Sequence, residues 1–186
     1  MIALLDYGAG NIRSVEKALA AVGANVRRLD SHVGLDHAHA VVLPGVGAFD
    51  DCINALQRQR LLDAVRAWIE AGRPFLGIFQ GPVVRFQPTA QEPHLKIPQI
   101  GWNQVEVAQP SCPLFEGIPS GSYFYFVHSF HPSPADPGIV AGRTTYGRPF
   151  ASAVWRDNVF ATQFHPEKSQ ANGLRLLGNF VRWAAR

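Results

Sequence analysis

The chain opens on four apolar residues with no alternation, Ile2-Ala3-Leu4-Leu5, the pattern of a strand buried on both faces. Gly8 and Gly10 punctuate a turn, and Asn11 is placed to N-cap a helix. Its apolar positions Ile12, Val15, Leu19 and Val22 recur at helical spacing, and Gly23 suits the residue that ends it. A second strand is expected over 25–29 and a third over 40–43. Two helical stretches follow, the first marked by Ile53 and Leu56, the second lined by Leu61, Leu62, Val65, Trp68 and Ile69. Gly72 closes the second before a fourth strand at 75–78. Strands alternating with helices over the first 78 residues specify an α/β layer with a largely parallel sheet.

The second half changes character. Short strands broken by Gly, Pro, Asn and Asp are expected at 83–86, 104–107, 123–127, 151–155 and 159–163, and Trp155-Arg156-Asp157-Asn158-Val159 reads as a hairpin turn. A last helix from about 171 to 185 presents Leu174, Leu177, Phe180, Val181 and Ala184 as an amphipathic stripe that packs on the sheet. The whole, residues 1–186, is expected to form a single domain.

Composition narrows the class. With 47% hydrophobic residues, 186 residues bury a sizeable core without metals or disulfides. The net charge is +3, but the 17 Lys and Arg are dispersed, so no basic run marks a nucleic-acid surface. No run of about 18 apolar residues spans a membrane, and Met1 to Asp6 carry neither a basic leader nor a long apolar stretch. A soluble, cytoplasmic protein is expected. Neither of the two cysteines reads as a nucleophile: Cys52 sits in a predicted helix, packed, and Cys112 lies in a proline-flanked loop with no helix N-terminus to lower its pKa. His32, His37 and His39 lack a carboxylate or thiol to complete a ligand set, so no metal and no cofactor is expected.

Three motifs carry possible chemistry. Gly8-x-Gly10-x-x-Arg13 has arginine where a dinucleotide fingerprint wants a third glycine, and a tight turn explains it. Pro44-Gly45-Val46-Gly47 joins a strand to a helix and offers main-chain N–H groups to a crevice at the carboxyl end of the sheet, as an oxyanion hole does. Taken alone, such glycines more often mark a turn. Phe164-His165-Pro166-Glu167 spaces an imidazole and a carboxylate so that Glu167 orients His165 to take a proton from a nucleophile. In isolation a surface histidine beside a turn proline is the simpler reading; the full string from Gln163 to Ser169 is far more specific.

Taken in order, Asp6-Tyr7-Gly8-Ala9-Gly10-Asn11, Leu43 to Phe49, Lys96-Ile97-Pro98-Gln99-Ile100-Gly101-Trp102-Asn103, Tyr125-Phe126-Val127-His128-Ser129 and Gln163 to Ser169 resemble class I glutamine amidotransferases. More narrowly, they resemble the glutaminase subunits of imidazole glycerol phosphate synthases. The resemblance implies a flavodoxin-like fold with a mixed, mostly parallel central sheet. It also implies a Cys-His-Glu triad that releases ammonia from glutamine. The partner it implies is a (β/α)8-barrel cyclase of histidine biosynthesis, in a heterodimer. By motif position His165 and Glu167 match the triad's base and its orienting carboxylate. Gly45, Val46 and Gly47 match the oxyanion loop, Tyr125 a glutamine contact, and Asn11, Trp102 and Lys168 the cyclase interface.

One element departs from the family. There the fourth strand ends Leu-Gly-Ile-Cys-Leu-Gly, with the thiol on a sharp turn at a helix N-terminus. Here Phe75-Leu76-Gly77-Ile78 runs into Phe79-Gln80-Gly81. Replacement of the cysteine by Phe79 leaves Pro82 and the β-prone Val83-Val84-Arg85-Phe86 where the elbow helix forms. Removal of a segment fits better, since Leu76 to Phe86 matches a later family stretch, Leu-Gly-Ile-x-x-Gly-x-Val-x-Arg-Phe. Only Phe79 to Pro82 separate Ile78 from Val83, and a helix of usual length takes about 11 residues. The nucleophile, its helix dipole and one oxyanion donor go with it. The fourth strand is expected to lose a covering helix, expose apolar surface and lower stability.

Overall fold

The computed structural model describes residues 1–8, 10–45, 49–77 and 82–186. Four strands form early: β1 (Ile2–Leu5), β2 (Val26–Leu29), β3 (Ala40–Val42) and β4 (Phe75–Leu76). Between them run α1 (Ile12–Ala21), α2 (Phe49–Arg58) and α3 (Leu62–Glu70). Asn11 caps α1 as expected, its side chain accepting from the Ser14 N–H at 3.4 Å. The later elements are β5 (Val83–Arg85), β6 (Gln99–Val107), β7 (Ser122–His128), β8 (Phe130–Pro132), β9 (Val140–Tyr146), β10 (Arg148–Arg156), β11 (Val159–Thr162) and α4 (Gln170–Ala184).

The main sheet among the described residues has the order β2-β1-β3-β4-β11-β10-β9-β6-β7. From β2 through β11 every neighbouring pair is parallel, and β10, β9, β6 and β7 extend one edge in antiparallel fashion. The sheet is mixed, on an α/β plan. Successive side chains of a strand point to opposite faces, which sorts the apolar runs into two layers. Ile2, Leu4, Val42 and Leu76 pack with Val15 and Leu19 of α1 and Leu177 and Phe180 of α4. Ala3, Leu5, Val41 and Phe75 pack with Leu56 of α2 and Leu62 and Trp68 of α3.

The expected exposure of the fourth strand is not found. Phe75 is 0% exposed and Leu76 6%, because helices cover both faces of β4. The 78–81 stretch, where a replaced cysteine and a removed element differ, lies outside the described residues. On its far side β5 pairs with β8 in a separate antiparallel ribbon, Val84 facing His131. Its side chains are exposed, but Phe86, the residue that follows it, is buried and its N–H donates to the Ser129 carbonyl at 3.0 Å.

Gly173, inside α4, decides how the segment before that helix is seated. A Cβ there would stand 1.8 Å from the Pro166 carbonyl oxygen and 2.9 Å from the Ser169 side chain. The absence of a side chain lets the 165–168 turn lie directly on the helix.

Candidate functional site

His165 follows β11, at the carboxyl end of the parallel strands, where crevices in open α/β sheets form. Its backbone is braced twice. The His165 N–H donates to the Tyr125 carbonyl at 2.9 Å, and its carbonyl accepts from Ser169 Oγ at 2.6 Å. Ser169 Oγ in turn accepts the Tyr125 N–H at 3.0 Å, so β7, the turn and the start of α4 are tied at one buried hydroxyl. A single 3-10 turn, Pro166–Lys168, then brings Glu167 back over the imidazole. Glu167 Oε1 lies 2.9 Å from His165 Nδ1, with side-chain exposures of 5% and 14%. The carboxylate only accepts, so Nδ1 carries the hydrogen and Nε2 keeps its lone pair. This is the arrangement of a base and its orienter.

Gly45 follows β3 at the same end of the sheet. A Cβ there would meet Tyr7 Oη at 3.2 Å and Cys52 Sγ at 3.8 Å. Tyr7 donates its hydroxyl to that sulfur at 3.3 Å, and burial holds the phenol above its ordinary pKa. Cys52 is packed in α2 as expected. Val46 and Gly47, the other two residues of the candidate oxyanion loop, lie outside the described residues. Gly45, Cys52, Gly77, His128, His165 and Glu167 border one cavity of about 530 Å³. Asn11 stands at its edge.

Tyr125, Trp102 and Lys168 gather elsewhere. Trp102 and Tyr125 are register partners on β6 and β7, with ring centroids 6.0 Å apart in an edge-on pair. The Lys168 ammonium sits 5.7 Å over the Tyr125 ring. The Tyr125 ring is thus on the outward face of the sheet, beside Trp102 and Lys168, and its main chain braces His165. Around the cluster Ile100, Tyr123 and Val127 are 63%, 53% and 37% exposed and Trp102 45%, and the strand register sets them side by side on one face.

Cys112 has more structure around it than a bare loop. It opens a 3-10 turn, Pro113–Phe115. Burial dominates all the same and pushes the thiol up to about 11, against the pull of the Leu114 and Phe115 N–H groups. Its sequence-based exclusion as a nucleophile stands on that burial. Among the described residues no group of His, Cys, Asp and Glu is placed to hold a metal ion, and no helix is long and apolar enough to cross a membrane.

Sequence reasoning gave no role to Ser169, Gln99 or His128. A hydroxyl directly before a helix is an N-cap signal, and Ser169 does start α4, but its oxygen is spent on His165 and Tyr125. His128 is fixed through both ring nitrogens: Nδ1 donates to the Phe130 carbonyl at 2.7 Å and Nε2 lies 3.0 Å from the Gln99 side-chain amide. Burial lowers its pKa to about 4; the Phe130 carbonyl opposes this, and His131 and His165 add to it.

A pH dependence follows. The unfolded chain binds this proton near the ordinary value of about 6.5 and the folded chain only near 4, so stability is full above 6.5 and falls as pH drops through that window. The loss should reach about 3 kcal/mol at most, and His128→Gln should flatten the curve by that amount. Urea unfolding of both proteins between pH 7 and 4 checks it; parallel curves would contradict it.

Residues 3–183 match the family described as Glutamine amidotransferase class-I. The chain is 45% identical to imidazole glycerol phosphate synthase subunit HisH of Syntrophotalea carbinolica over 204 aligned positions, taking in 97% of this chain and 98% of that protein. With the HisH subunit of Methylococcus capsulatus it shares 46% identity over 211 positions, 98% of this chain and 96% of the relative. The chain belongs to the HisH branch of the class I glutamine amidotransferases. Its fold agrees with the solved structure of PurLQS from Thermotoga maritima, at a TM-score of 0.79 and 17% identity, covering 98% of this chain and 97% of that one. The His-Glu pair and the Gly45 turn therefore sit within a known amidotransferase frame.

Proposed function

We propose that this chain is the glutaminase-type subunit of a cytoplasmic imidazole glycerol phosphate synthase in histidine biosynthesis whose own hydrolysis of glutamine is lost, leaving a binding module that docks on the barrel cyclase. The observation that carries the loss is the link between β4 and β5: residues 77–82 are all that join Leu76 to Val83, and a catalytic elbow followed by a helix of about 11 residues does not fit in it. The relatives' lengths support the same reading. The alignment with the Syntrophotalea protein spans 204 positions although this chain has 186 residues, so the relative carries positions without counterpart here. His165 and Glu167 remain as a base and its orienter, with Gly45 at the oxyanion turn, and the two cysteines at hand are packed inside the fold.

Docking is favoured by the Trp102, Tyr125 and Lys168 cluster, which combines aromatic anchors with one cation on an exposed face. Asn11 lies nearer the cavity and is taken as the inner edge of that interface. The test is a mixture of this chain with a cyclase subunit. Co-elution on a sizing column, weakened by Trp102→Ala about 30-fold in Kd, is the expected result for an anchor worth about 2 kcal/mol. Separate elution at micromolar concentrations would count against the docking role.

A further inference from the structure

We propose that the His165–Glu167 pair gives this chain a hydrolytic activity of its own toward small activated esters, with water as the nucleophile and His165 as general base. Three observations carry it. Glu167 holds Nδ1 from a nearly buried position, 2.9 Å away, so the imidazole is fixed in the tautomer whose Nε2 accepts a proton. Among the described residues Nε2 has no hydrogen-bond partner. The ring borders a cavity of about 530 Å³ with apolar walls from Val42, Leu76 and Leu177 and polar groups from Gln163 and Ser129. A cavity of this size holds a small organic molecule and a water together.

In the step itself the water oxygen bonds to the ester carbonyl carbon while its proton passes to His165 Nε2. The tetrahedral adduct collapses, the acyl C–O bond breaks, and the aryloxide leaves as the carboxylic acid forms. The imidazolium returns its proton to the phenolate or to solvent. Nothing is oxidised or reduced. Aryl esters are the substrate class because their leaving group departs without a general acid, whereas an amide needs its nitrogen protonated. Neither glutamine nor the cyclase takes part, so this activity is judged separately from the reading of the partner and the lost nucleophile.

The probe is p-nitrophenyl acetate with the full chain, followed by p-nitrophenol release. Multiple turnovers are expected, slowed in D2O and slowed about tenfold or more by His165→Gln, a smaller factor than the 10²–10⁴ of a base matched to its substrate. Glu167→Gln, which keeps the bulk but weakens the grip on Nδ1, should slow it less than His165→Gln. The Cys52 thiol borders the same cavity and is the competing nucleophile. A rate equal in wild type and His165→Gln, a rate abolished by Cys52→Ser, or a single stoichiometric burst without turnover would each overturn the proposal.

Discussion

Glutamine added to this chain together with a barrel cyclase should yield no glutamate above background. Removal of a nucleophile from a hydrolase triad lowers kcat by about 10⁶ where it has been measured, and the residual rate comes from the oxyanion hole and binding. On the proposed loss of the element, one oxyanion donor and the helix dipole go with the sulfur, so the effect should be at least as large. Ammonium salts bypass the amidotransferase step, and cyclase turnover with ammonium but not with glutamine would locate the defect in this subunit. Glutamate accumulating in step with added chain would show that another group attacks the amide.

The second large effect concerns the residue that seats the chain in the core after β5. Phe86 is 2% exposed, and its ring lies between His128 and His131 at 5.1 and 4.8 Å and Tyr146 and Phe150 at 5.5 and 5.3 Å. It is the anchor that returns the backbone to the core after the exposed β5. Phe86→Ala should therefore cost about 3–5 kcal/mol, from lost burial plus a cavity that rigid ring neighbours on four strands cannot close. Phe86→Leu should lose less. Urea midpoints give both values; an alanine variant within about 0.5 kcal/mol of wild type would place the anchor elsewhere.

The two halves of the fold differ in how far the sequence reveals them. Ile2 to Leu5 and Ala40 to Val42 announce themselves as uninterrupted apolar runs, because strands buried on both faces need them. β9 gives no such signal: Val140 to Tyr146 includes Gly142, Arg143 and two threonines, and Thr144 is buried only because β10 and the core close over it. β8 is Phe130-His131-Pro132, too short to show a period, and it is a strand only because β5 lies beside it. β6 begins five residues before its apolar positions suggest, since Gln99 is buried by its bond to His128 rather than by hydrophobicity.

The site divides in the same way. His165 and Glu167 are two residues apart, so their meeting is a local property of the turn and legible in the string. The brace that holds them is not. Ser169 reaches His165 and Tyr125 only because a glycine at 173 lets the turn lie on α4. Likewise Tyr125, assigned by motif to the substrate, has its ring beside Trp102 and Lys168 because alternation along β7 turns Phe124 and Phe126 inward and Tyr125 outward.

The proposed loss is of the nucleophile-bearing element, from an amidotransferase frame that keeps its base in place. It is tested most directly by inserting the corresponding segment of the Syntrophotalea relative between β4 and β5 and measuring glutamate release from glutamine in the presence of the cyclase. The expected result is activity that appears with the insertion and disappears again with His165→Ala. Glutamate release by the chain without the insertion, at a rate the insertion does not raise, would contradict it.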